Sequence, residues 1–386
     1  MSYVAERFLH RGAALSLDAD ALSRYDDLID LSIGDTDFIT DRRIIDAAYR
    51  DACAGATRYG FPQGDPELIS AVQKAWKEDF GQDVPKNQLV ITASSCLGMA
   101  LALMAILNPG DEVIVLAPYF AVYKQQIELA GGVCVEVGSR EENDWGLNAE
   151  ALQKAVTPRT RAIIFNNPTN PTGAAYTRAD MELLAKISKE NDLLILADEI
   201  YTRYLFEGTF TPMRTLDGME GRTVTLNSFS KNFMMTGWRV GYIIAPEEIV
   251  SAIGFINGGM IYTTPSVSQR AAIRALDLRD DIQKIYISQF RDRVYYAADR
   301  IQNIPYMTLS RPKGTFYLFP GIRKTGLTSA EFCKTALEKA HVLVSSGAAF
   351  GKAGEGYFRI ACTADMNALK EAFDRLEKLH FETENV

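Results

Sequence analysis

Between residues 88 and 245 the chain repeats one pattern, a short run of mostly apolar or β-branched residues alternating with stretches of helical character. The runs fall at 88–92, 112–116, 133–137, 162–165, 193–199, 223–226 and 240–245, with helices predicted over 97–107 and 178–191. A strand with one wet face alternates polar and apolar residues, whereas one apolar throughout is buried on both faces. Such strands alternating with helices predict an α/β fold: a three-layer αβα domain around a mostly parallel sheet.

The flanks differ in texture. Residues 1–30 read as partly helical, and helices are predicted over 42–54 and 66–80, separated by a Gly/Pro-rich loop at 57–64. From about residue 276 a long charged helix (279–302) is followed by shorter strands (307–309, 315–319, 357–361) and a closing helix at 366–379. The expected organisation is a large domain over 46–275 and a smaller α+β domain built from 1–45 and 276–386. A chain of 386 residues suits one large domain with a companion.

Composition removes several classes of function. A net charge of −8, with no block of Lys and Arg, argues against a nucleic-acid or anionic-membrane surface. No apolar run is long enough to cross a bilayer, and the first residues lack the apolar core of a signal peptide, so a cytoplasmic protein is expected. Five scattered cysteines suit free, mostly buried thiols in a reducing compartment. Three histidines and no CxxC make a metal site or a Ser-His-Asp hydrolase a poor fit.

Ligands of open parallel sheets sit beyond the carboxyl ends of the strands. Polar features gather at those ends: Ser94, Ser95 and Cys96 after the first run, then Phe120, Asn170, Asp198 with Tyr201, and Ser228 with Lys231. Singly, each has an ordinary role as a helix cap, turn residue, core aromatic or surface charge. Gly34 with Asp35 reads locally as a turn. Together they suit pyridoxal phosphate. Asp198 ends an apolar strand and should face a cation, such as a protonated pyridine nitrogen, or cap the next helix. Asn170 and Tyr201 can bond the ring's phenolic oxygen, and Phe120 can stack on its face. Amides at Ser95 and Cys96 open a helix and offer an anion seat, which Ser228 and Arg239 could complete. Lys231 can form an imine once desolvation or a nearby cation such as Arg239 lowers its pKa.

Three motifs extend this reading: Asn167-Pro168-Thr169-Asn170-Pro171-Thr172-Gly173, Ala197-Asp198-Glu199-Ile200-Tyr201, and Ser228-Phe229-Ser230-Lys231 with Gly237-Trp238-Arg239-Val240-Gly241. In this order and spacing the sequence resembles the fold-type I pyridoxal-phosphate enzymes of the class I/II aminotransferase family, from about Asp30 to about Leu379. The resemblance implies that Lys231 forms the internal aldimine, that Asp198 pairs with the pyridinium, and that Asn170 and Tyr201 bond the phenolic oxygen. It also implies phosphate contacts from Ser95, Cys96, Ser228 and Arg239, with Phe120 stacked on the ring. Tyr59 matches a tyrosine that reaches the neighbouring subunit's phosphate, implying a homodimer with shared sites. Arg359 matches the clamp on the substrate α-carboxylate, and Gly34 a backbone contact beside the substrate. Ser94 stands where glycine is usual, which bears on the loop's backbone geometry; Phe120 replaces a more frequent Trp or Tyr, and Asp41 a frequent proline.

The activity implied is a two-stage, ping-pong transamination between an L-amino acid and a 2-oxo acid, with Lys231 as both anchor and general base and Asp198 and Tyr201 in support. A carbon–sulfur β-lyase on the same scaffold is the alternative, because a fold does not fix chemistry. A ligand-sensing regulator is more remote, since the chain has no room for a DNA-binding module. No arginine near Gly34, Tyr119 or 261–264 points to an acidic side chain on the substrate, so aromatic, aliphatic and dicarboxylic donors stay open.

Overall fold

The computed structural model describes residues 3–5 and 23–381. The expected helix within 1–30 lies almost wholly outside them. A two-residue strand, β1 (Ile29–Asp30), precedes the helices Arg42–Cys53 and Pro66–Phe80. Then come β2 (Leu89–Thr92), β3 (Glu112–Ala117), β4 (Val133–Gly138), β5 (Thr160–Asn166), β6 (Leu194–Asp198), β7 (Thr223–Ser228) and β8 (Gly241–Ile244). They form one sheet of seven strands in the order β2-β8-β7-β6-β5-β3-β4.

Strands β3 to β7 are mutually parallel, whereas β8 runs antiparallel to both neighbours, β7 and β2. The run at 240–245 is therefore a strand, but not a parallel one. Between β7 and β8 the chain makes only the short helix Phe229–Asn232 and a further tight turn, too little for a parallel crossover. Two reversals bring β2 back into the direction of β7. The carboxyl ends of β2, β3, β5, β6 and β7 consequently share one edge.

The apolar runs are continuous because alternate residues of each strand enter different layers. Val113, Val115, Ile164, Leu196 and Val224 pack with Leu101 and Leu103 of the helix Ser95–Ile106. Ile114, Ile163, Ile195 and Ala197 pack on the other face with Leu184 and Ile187 of the helix Arg178–Glu190. β4, at the edge, is only partly covered.

Beyond the helices Glu247–Met260, Ser266–Asp277 and Arg279–Gln302 come four short strands: β9 (Tyr317–Leu318), β10 (Val342–Leu343), β11 (Ser345–Ser346) and β12 (Phe358–Ala361). β10 pairs in parallel with β1, and β11-β12-β9 form an antiparallel sheet. The strand expected at 307–309 shrinks to an isolated bridge between Thr308 and Gly321. One apolar cluster runs from Leu31 and Ile44 through Trp76 and Tyr242 to Phe290, Phe358 and Leu376. It fastens the N-terminal segment and the last third of the chain against the sheet.

All five cysteines are free, but only Cys362 is fully buried; Cys53 and Cys96 are exposed, contrary to the expectation of mostly buried thiols. Cys53 is the last residue of the helix Arg42–Cys53, and Cys96 lies in the first turn of the helix Ser95–Ile106, so both sit at helix ends rather than on a core-facing stretch. Among the described residues no helix is long and apolar enough to cross a membrane, and no group of His, Cys, Asp or Glu could hold a metal ion.

Candidate active site

Three adjacent strands set out the centre of the site. Asn166 on β5 lies opposite Asp198 on β6, which lies opposite Leu226 on β7. Asn166 then folds the following loop back. Its Nδ2 donates to the Asp198 carbonyl at 2.9 Å, while its Oδ1 accepts from the Asn170 amide at 2.8 Å. Asn170 and Asp198 are both buried. The Tyr123 hydroxyl donates to Asp198 Oδ2, and Asp198 Oδ1 is buried with no partner. Burial pushes the Asp198 carboxyl up to about 6, opposed by the bond from Tyr123. A buried carboxylate oxygen with no donor is costly unless a ligand supplies one.

Lys231 sits on the short helix Phe229–Asn232 that leaves β7. Ser228 caps that helix, its Oγ accepting from the Ser230 amide at 3.1 Å, and the Tyr204 hydroxyl donates to the Lys231 carbonyl at 2.9 Å. The backbone being held at both ends, the ammonium extends to the Gly34 carbonyl, 2.6 Å away. Gly34 is more than a turn residue. A Cβ there would lie 1.7 Å from the Tyr317 hydroxyl oxygen, so only glycine fits between the lysine and that ring.

The anion seat follows β2. Ser94 has φ +98° and ψ 156°, a backbone region essentially reserved for glycine, and its Oγ accepts from the Leu97 amide at 3.2 Å. Serine thus adopts the conformation that glycine would reach without strain. The amides of Ser95 and Cys96 open the helix Ser95–Ile106, and the first amides of a helix have no partner within it. A Cβ on Gly241 would come within 2.7 Å of the Asn227 carbonyl and 2.8 Å of the Ser95 amide, so this glycine lets the seat close against the lysine strand. Arg239, exposed and at φ +53°, donates to the Thr236 carbonyl at 2.7 Å, and its charge acts on the Cys96 thiol.

Phe120 is half-buried and meets Tyr123 edge-on, ring centres 5.6 Å apart. The buried Tyr201 hydroxyl lies 3.4 Å from that of Tyr317. Tyr59 stands apart from this group: it is 83% exposed, and its ring meets Tyr262 edge-on at 5.0 Å.

Arg359, on β12, enters from the opposite side. It is buried, donates to Asn170 Oδ1 at 3.0 Å and to the Ser32 carbonyl at 2.5 Å, and lies between the rings of Tyr317 (4.5 Å) and Phe350 (4.8 Å). Its Nε has no partner, and no carboxylate among the described residues pairs with it. Burial pulls its pKa below the usual arginine value. This is a cation waiting for an anion.

Five of these contributors are absent from the sequence reading: Tyr123, Tyr204, Tyr317, Phe350 and the Ser32 carbonyl. Only Tyr123 left a signal, lying in the first turn of a helix that opens just after Phe120. The others act through long-range packing that no local pattern records.

The site thus offers a reactive-type lysine, an unpaired buried carboxylate oxygen, an anion seat and an unpaired buried guanidinium. These are complementary to a cationic heterocycle with a phosphate arm and to a small carboxylic acid. A sequence profile described as "Aminotransferase class I and II" matches residues 26–376. The chain is 40% identical over 363 residues to aromatic-amino-acid aminotransferase 2 of Thermococcus litoralis, covering 91% of each chain. It is 38% identical to an aspartate aminotransferase of Pyrococcus abyssi, covering 92% of each. Among solved structures, an aspartate aminotransferase from Thermus thermophilus with maleate superposes with a TM-score of 0.93 at 30% identity, over 98% of this chain and 100% of that one. On this likeness of sequence and fold, the chain belongs to the class I and II aminotransferases of fold type I, and it is a pyridoxal-phosphate-dependent aminotransferase.

Proposed function

We propose that the protein exchanges an amino group between an L-amino acid and a 2-oxo acid in two alternating half-reactions, each product leaving before the next substrate binds. The observation that carries this reading is the pair of incomplete buried groups, Asp198 Oδ1 and the Arg359 guanidinium, linked through Asn166 and Asn170. When bound, pyridoxal phosphate supplies an electron sink for negative charge at the substrate α-carbon. Asp198 Oδ1 holds the proton of the ring nitrogen, and Asn170 and Tyr201 hold the phenolic oxygen. Phe120 covers one ring face. The amides of Ser95 and Cys96, with Ser228 and Arg239, hold the phosphate.

Arg359 grips the α-carboxylate beside Asn170 and Gly34, so that the α-hydrogen is presented to Lys231. The Lys231 amine leaves the Gly34 carbonyl and carries the proton at that carbon. Tyr59, exposed beside Phe61 and Tyr262, reaches the phosphate of a second copy, making a homodimer with shared sites. The assignment of 46–275 to a large domain and of 1–45 with 276–386 to a small one, and a cytoplasmic setting, belong to the same proposal. Relatives named for aromatic amino acids and for aspartate support a donor from one of these classes.

The test supplies the holoenzyme with a panel of L-amino acids and 2-oxoglutarate and measures oxo acid and glutamate together. Equal yields from an aromatic or dicarboxylic donor are expected. Pyruvate released from cystathionine or cysteine without any acceptor, and no glutamate, would assign β-elimination instead.

A further inference from the structure

Asp198 presents two oxygens to a buried space, and they are treated differently. Oδ2 accepts from the Tyr123 hydroxyl, while Oδ1 is bare. Tyr123 is 3% exposed and belongs to the helix Val122–Leu129, whose first turn follows Phe120; its amide donates to the Phe120 carbonyl at 3.0 Å. Its ring meets that of Phe120 edge-on at 86°. One side chain therefore braces two separate walls, the carboxylate under Asp198 and the aromatic face offered by Phe120.

We propose that Tyr123 is a positioning residue for the cofactor: its hydroxyl occupies Asp198 Oδ2 so that Oδ1 alone meets the ring nitrogen, and it keeps the shared proton on that nitrogen. The inference rests on Asp198 facing the nitrogen, as proposed above. A hydrogen bond donated to a carboxylate stabilises its ionised form. Around Asp198 burial works the other way, favouring the protonated acid, and the Tyr123 hydroxyl and the Ile200 backbone amide are what oppose it. Without the phenol the carboxyl becomes the better base, and the proton between it and a pyridine nitrogen moves onto Asp198. The ring nitrogen is then neutral and a poorer electron sink. No covalent step is involved; one proton changes its seat.

The experiment compares wild type, Tyr123→Phe, Asp198→Asn and the double variant, each folded as judged by circular dichroism. Tyr123→Phe keeps the ring and its contact with Phe120 and removes only the hydroxyl. Enzyme loaded with 15N-labelled pyridoxal phosphate reports protonation of the ring nitrogen by its chemical shift, and titration of apoenzyme gives the cofactor dissociation constant. Tyr123→Phe should shift the nitrogen signal towards the unprotonated value and weaken cofactor binding about ten-fold, the scale of one charge-assisted hydrogen bond. In the Asp198→Asn background the same change should add nothing. A wild-type nitrogen shift in Tyr123→Phe, with Asp198→Asn altered, would overturn the role of Tyr123 alone. A wild-type shift in Asp198→Asn would overturn the placement of Asp198 as well. Should Tyr123→Phe fail to fold, Tyr123→His, which can donate from its ring, should restore the protonated signal, and its failure to do so while folded would count against the proposal.

Discussion

The ammonium of Lys231 donates to the carbonyl of Gly34 at 2.6 Å, joining residues 197 apart in the chain. Its other close neighbour is the ring of Phe316, 5.7 Å from the nitrogen. A lysine held by one neutral carbonyl against an aromatic ring has no carboxylate to lose when it turns to react. Lys231→Ala should therefore still bind pyridoxal phosphate, through the remaining contacts, while turnover falls by about 10³-fold or more, the scale of losing a general base. Single-turnover kinetics on the reconstituted variant measures this, and near-normal turnover would remove Lys231 from the chemistry.

Arg359 carries a charge that the protein itself leaves unanswered. Replacing the planar fork by a single ammonium in Arg359→Lys should lower kcat/KM for every amino-acid donor by about a hundred-fold, since a two-point grip on a carboxylate is lost. Cofactor affinity should stay unchanged. Equal losses in cofactor binding and kcat/KM would instead mean that Arg359 supports the fold of the site as a whole.

Glu199 gives a stability that depends on pH. It is buried, with Oε1 accepting from the Met213 amide at 2.7 Å and Oε2 unpartnered, and burial pushes its carboxyl up to about 8. Its folded pKa lies above its unfolded value of 4.5. The neutral acid is thus favoured by folding, and that contribution is complete below the unfolded value and is lost as pH rises towards about 8. Glu199→Gln cannot ionise. Its stability relative to wild type should rise across this window by at most about 1.4 kcal/mol per pH unit, measured by urea unfolding. Parallel curves for the two proteins would show that Glu199 is ionised throughout.

Ser94 holds a backbone angle that suits glycine, at φ +98°. Ser94→Gly should release strain of about 1–3 kcal/mol while forfeiting only a few tenths from the weaker cap. Part of that gain is offset by the freer unfolded chain, leaving a net stabilisation of about 1 kcal/mol. Ser94→Ala keeps the strain and loses the cap, so it should move the other way. Chemical denaturation of the three proteins gives the order directly.

The legible parts of this fold are those where one short stretch carries the whole signal. β3 is buried along its full length, so its apolar run Val113–Ala117 is unbroken, and the helix Arg279–Gln302 is long enough to declare itself. The helix Glu247–Met260 has a weak local signal because it runs through Gly254, Gly258 and Gly259, poor helix formers, and Ser266–Asp277 has no side-chain cap to mark its start. Two-residue strands such as β1 and β10 exist only through each other, as does the antiparallel sense of β8. The same division holds in the site. Lys231, Asp198 and Asn170 lie in motifs at strand ends, but the pairing of Tyr123 with Asp198 and the rings around Arg359 arise from contacts between distant segments.

The reach of Lys231 to the Gly34 carbonyl has a consequence for assembly. Gly34 is placed by a strap that hydrogen-bonds β12, more than 300 residues later in the sequence, with the Ala361 amide donating to the Leu31 carbonyl at 2.8 Å. A fragment ending before β12 lacks the strand that ties down this strap and seats Gly34 opposite the lysine, however well its sheet has formed.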